Sequence, residues 1–210
     1  PVYRETSAVL EALVELGRNG RQPYTRGVTF LSGLAATNND MLARRLLGLT
    51  GGQGLDNLKE QVRNSKIATT TRLSGQLLTA SGWPFESGTA PNVLDTAISY
   101  RSLLINGVEL TSNEHTYIQT YLKGNQLSDG GWSFFGNTTG NVYVTGEVVL
   151  ALAQAPNPIP SLNSEVLVAA RQYLLAAQNA NGSWGPAPGL VAETALAALS
   201  LQEIARRQIR

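Results

Sequence analysis

Five carboxylates recur where helical segments of this 210-residue chain open: Glu5, Asp40, Asp95, Glu147 and Glu193, with Glu86 just ahead of the third. Two of them converging on one rim would suffice for general acid and base work on a glycosidic bond. A simpler role accounts for the same spacing. An acid in the first turn of a helix stabilises the positive end of the dipole, by about 0.3–1 kcal/mol at exposed sites. Recurrence at a helix start in every repeat favours that role over a catalytic pair. His115, the single histidine, falls in the first turn of a helix beside a capping residue, which predicts a solvent-exposed polar side chain. The stretch "GLTGGQG" (48–54) lacks the Lys-Ser/Thr of a phosphate-binding loop and reads as a linker.

Cysteine is absent, so disulfides, thiolate nucleophiles and Cys-containing zinc sites cannot be built, and no cofactor is expected. Sixteen Lys and Arg against fifteen Asp and Glu leave a net charge of +1, too small a field to gather nucleic acid or an anionic membrane. No apolar run reaches the roughly 18–20 residues of a membrane span.

The elements that must carry these side chains are helical. Apolar residues recur at helical spacing near 5–17, 23–36, 39–49, 56–79 (interrupted), 92–106, 112–125, 142–154, 162–179 and 190–207, and no segment alternates convincingly over a strand length. The expected class is all-α, in a single domain over 1–210. Thr111 and Glu114 have the spacing of a capping box. The chain opens on Pro1 with helical pattern already at Arg4, which predicts a piece of a longer protein. Its low charge, its Gly, Asn, Thr and Ser content and its lack of cysteine suggest a secreted or extracytoplasmic bacterial one.

A repeat organises the helices. Trp83, Trp132 and Trp184 stand 49 and 52 residues apart. The last two close the same frame: an aromatic and a leucine (Tyr121, Leu122; Tyr173, Leu174), a glutamine five positions after the aromatic (Gln126; Gln178), then Gly130 or Gly182 two before the tryptophan. "RLSGQLLTASGWPF" (72–85) reads as a degenerate copy with Gln76 one position out, and "FLSGLAATN" (30–38) as a more eroded one. Four helical hairpins after one orphan helix result. The glutamine would serve free backbone groups at the helix end, the glycines would allow a sharp turn, and the tryptophan would fold back as an apolar lid. Asp129 aligns with Asn181, so a charge there is dispensable.

This frame resembles the QW motif of the squalene/oxidosqualene cyclases and, more broadly, the repeats of terpenoid cyclases and protein prenyltransferase β subunits. The resemblance implies an α-α toroid, a partial α/α barrel of antiparallel helical hairpins. Class II cyclases of that family protonate substrate with an aspartate of a DxDD motif at the start of an inner helix. "NVLDTA" (92–97) matches it with Asn92 first, Leu94 at the proton donor and Asp95 retained, and "LVAETA" (190–195) has Ala192 at that position. Leucine and alanine cannot donate a proton.

The expectation is a non-catalytic structural or interaction module whose partners are neighbouring domains or repeats of a parent chain, or another protein. The alternatives are part of an enzyme with its catalytic residues outside this segment, and a carbohydrate-binding or glycan-processing α/α barrel. Candidate rim or pocket residues are Trp83, Phe85, Asp95, Phe134, Phe135, Glu147 and Glu193.

Overall fold

The computed structural model describes residues 2–134, 138–155, 160–186 and 188–208. Among them are α1 (Val2–Glu15), α2 (Gln22–Gly33), α3 (Asn39–Gly48), α4 (Asp56–Asn64), strands β1 (Ile67–Leu73) and β2 (Gln76–Gly82), α5 (Val93–Ile105), α6 (Ser112–Gly124), α7 (Val142–Gln154), α8 (Pro160–Ala176) and α9 (Val191–Gln208). The molecule is largely helical. None of the described helices is long and apolar enough to cross a membrane.

The interruption expected within 56–79 is a change of structure type. After α4 the chain forms an antiparallel hairpin, Ile67 facing Gly82 and Leu73 facing Gln76. Ser74 and Gly75 make its two-residue turn at φ 51° and 81°, the positive angles that such a tight hairpin requires. Ile67 and the threonines 69–71 are β-branched and suit a pleated surface better than a helix. The expected helical class therefore holds apart from this one small hairpin, and Gln76 begins a strand instead of closing a helix.

Helices α1, α3, α5, α7 and α9 form one row, each packed on the next. The intervening helices lie against their chain neighbours, and the hairpin packs on α6. Within the row, α7 is buried from Val142 to Ala153, as a helix apolar on all faces must be. The main core joins Trp83, Trp132, Tyr100, Leu103, Leu122 and Leu152 across the middle of the row.

Several starts and ends have a local cause. Asn38, Asn92 and Asn141 cap α3, α5 and α7, each side-chain oxygen accepting from a backbone N–H three residues on. Thr111 and Glu114 form the expected capping box at α6. Glu114 also receives Lys66 at 2.7 Å and Arg63 at 3.1 Å, joining the end of α4 to the start of α6. Burial opposes its charge, but these bonds hold its carboxyl down at about 2.

Candidate functional site

The repeated tryptophans are fasteners. Trp132 Nε1 donates to Leu122 O at 2.7 Å, Trp184 Nε1 to Leu174 O at 2.6 Å, and Trp83 Nε1 to Val62 O at 2.5 Å. In the later copies the carbonyl lies ten residues back; for Trp83 it lies 21 back, on α4, because the hairpin is inserted between. Val62 thus takes the place of Leu122 and Leu174, which corrects the assignment of Gln76 to the glutamine position. All three tryptophans are buried.

Each tryptophan is held a second time by a threonine that sequence reasoning did not single out as a fastener. The backbone N–H of Trp83, Trp132 and Trp184 donates at 3.0 Å to the hydroxyls of Thr96, Thr145 and Thr194. Their carbonyls accept from the N–H of Asn92, Asn141 and Leu190. One loop is thereby tied to the preceding helix through the indole and to the following helix through its backbone. The missed signal was a threonine 13 residues after two of the tryptophans and 10 after the third.

Gln126 Nε2 donates to Gly130 O at 2.9 Å and to Val166 O of α8 at 3.0 Å, whereas Gln178 Nε2, among the described residues, bonds only within its own loop, to Gly182 O at 2.9 Å. Gly130 has φ 89°, and a Cβ there would stand 2.4 Å from Ala169 O, so turn and close approach both require glycine. Gly182 has the same left-handed backbone. Tyr121 Oη donates to Pro91 O at 2.7 Å, and Tyr173 packs against the cluster of Val142, Leu174, Trp184 and Ala197. Asp129 accepts from Gly131 N and Asn181 from Ser183 N, the same bond made by carboxylate or carboxamide.

The threonines also correct the acidic register. Thr96 and Thr194 directly follow Asp95 and Glu193, but the residue before Thr145 is Val144, and Glu147 lies two positions beyond. Glu147 is not a helix opener. It is buried in a network to which α1, α3, α5 and α7 each contribute. Arg101 binds Glu11 at 2.6 Å and approaches Glu147 at 3.9 Å; Arg44 binds Asp40 at 2.8 Å and approaches Glu147 at 4.0 Å. Burial pushes the Glu11 carboxyl up, with Arg101 pulling the other way. For Arg101, burial works against the charge, but Glu11 and Glu147 outweigh it and raise its pKa.

Beside this network the starts of α1, α3, α5 and α7 enclose a cavity of 340 Å³, walled by Arg4, Asp40, Arg44, Asn92, Leu94, Asp95 and Tyr143, with Phe85 and Phe134 at its edge. Asp95 is 3% exposed. Its Oδ2 accepts from the Asn92 side chain, while Oδ1 meets no donor among the described residues. Burial pushes this carboxyl up to about 6, against the Asn92 bond and with the charge of Asp40 adding to the rise. Leu94, at the position of the resemblance's proton donor, is on the wall.

Of the rim candidates, Phe85, Asp95 and Phe134 come together at this cavity; Trp83 is a core residue, and Glu193 is half-buried at the start of α9. Phe135 lies outside the described residues. His115 is half-buried instead of solvent-exposed, its Nδ1 2.6 Å from Tyr100 Oη, and burial pushes its pKa down. The 48–54 loop helps to wall a second cavity of 620 Å³ together with Tyr24, Arg45, Asn57 and Gln61. No group of three or more metal-ligating side chains stands together among the described residues. No protein-family model matches the chain, and neither a curated protein nor a solved structure was found to be similar to it.

Proposed function

We propose that this chain is a non-catalytic structural or interaction module, a toroid-like arc of helical hairpins within a larger, extracytoplasmic bacterial protein. One observation carries the reading: at the start of α5, where a cyclase of the resembling family needs a strong acid, the cavity wall presents Leu94. The neighbouring Asp95 is bonded to Asn92 and is held a weak acid by its burial. A carboxylic acid that protonates an alkene needs the opposite tuning. The repeated Trp and Thr side chains, and that of Gln126, are engaged in joining helices, a scaffold's use of them.

Neighbouring repeats or domains are the partners this reading predicts. Exposed apolar residues stand at both ends of the row, Val9 on α1 with Leu16 just after it, and Val191 and Leu199 on α9. Incubation of the purified chain with squalene and with prenyl diphosphates is expected to return unchanged substrate. Cyclised product above a heat-killed control would refute the non-catalytic reading.

A further inference from the structure

The cavity at the starts of α1, α3, α5 and α7 is built for a ligand of a definite kind. Its walls carry two guanidiniums, Arg4 and Arg44, and two carboxylates, Asp40 and Asp95. Arg44 Nε holds both Asp40 oxygens, at 2.8 and 2.9 Å. A small cation or anion entering would lose its hydration without meeting a net opposite charge, and would have to compete with ion pairs already formed. A neutral molecule rich in hydroxyls faces no such conflict. Each hydroxyl both donates and accepts, so it can give a proton to an acid and receive one from Asn92 or a guanidinium without separating a pair.

Two further observations narrow the class. Asp95 lines the cavity, and its buried Oδ1 has no donor among the described residues. At the edge, Phe85 is 43% and Phe134 36% exposed, although all three tryptophans of the chain are buried. The Phe85 segment is fixed from α3, since Asn39 donates its N–H to Phe85 O at 3.0 Å and its side chain to Pro84 O at 2.7 Å. Fixed aromatic faces carry a negative quadrupole that suits polarised C–H groups. The cavity volume lies at the low end of the range for small-molecule sites and gives room for one ring.

We propose that this cavity binds one ring of a neutral saccharide, hydroxyls toward Asp40 and Asn92 and a C–H face against Phe85. The inference rests on the interaction-module reading and names its ligand class. It is tested by saturation-transfer NMR and titration calorimetry of the intact chain with glucose, galactose, xylose and N-acetylglucosamine, and with cellobiose as a disaccharide.

At least one sugar is expected to bind saturably. Affinity should fall about tenfold or more in Phe85→Ala and in Asp40→Asn, and persist in Phe85→Tyr, with unchanged circular dichroism confirming that the variants fold. Absence of saturable binding by all five probes, binding indifferent to both variants, or occupation of the site by choline, acetate or leucine instead would overturn the proposal and leave the non-catalytic reading standing. Release of reducing sugar from cellobiose would do the reverse, keeping the ligand class and refuting the absence of catalysis.

Discussion

Gln126→Leu strands the Gly130 carbonyl and removes a second bond, to a carbonyl of α8 that keeps its helical partner, whereas Gln178→Leu removes a single bond at an exposed loop. A buried acceptor without a partner costs about 1–3 kcal/mol, so chemical denaturation should show a loss of that size for Gln126→Leu and a smaller one for Gln178→Leu. Asp95 makes a second expectation. Its folded pKa of about 6 stands above the ordinary 3.8, so between those values the folded state binds more protons and stability falls as pH rises. The contribution is fully present below about pH 4 and is lost through pH 6, at most roughly 3 kcal/mol by proton linkage. Thermal melts from acid to neutral pH should lose this slope in Asp95→Asn, leaving the part that belongs to Glu11. The Gln-Gly-Trp frame was legible because its members lie close along the chain and are rare types. The threonines were not, because threonine is common and its distance from the tryptophan changes between copies.

The hairpin is the element that sequence reading lost, and its cause is physical. Ile67, Leu73, Leu77, Leu78 and Ala80 can be fitted to a helical stripe when read without the Ser74-Gly75 turn, and short apolar runs do not distinguish helix from strand. The last residue of α6 sits against this hairpin so closely that a Cβ on Gly124 would lie 2.4 and 2.6 Å from Thr71 side-chain atoms and 3.0 Å from Arg72 O. Elsewhere in a helix, glycine to alanine gains up to about 1 kcal/mol of propensity. At this position the clash should reverse the sign. Gly124→Ala is expected to destabilise by about 1–3 kcal/mol in denaturant titration, and adding Thr71→Ala should recover part of the loss while Arg72 O still hinders. The remaining helices fall within a few residues of their predicted bounds because caps such as Asn92, Thr111 and Asn141 fix their starts from nearby.

Across the molecule, a near-zero net charge gave no hint that four helices of the row each send a charge to one buried cluster. Removing its centre with Arg101→Met leaves Glu11 and Glu147 facing each other without that cation, a change expected to cost about 3–5 kcal/mol. Replacing Glu11, Arg101 and Glu147 together by leucine or methionine should recover most of that stability, read from the same denaturation curves; a triple variant no more stable than Arg101→Met would show that the cluster holds the row together beyond its charges. The three indoles offer a different kind of use. One stands at each of three successive joints, each shielded and each bound to the helix before it, and the chain has no other tryptophan. They are three built-in lamps along a line. Variants keeping one tryptophan at a time, the other two replaced by phenylalanine, should emit at short wavelength when folded, and the order in which the lamps redden in denaturant would trace how opening spreads along the row.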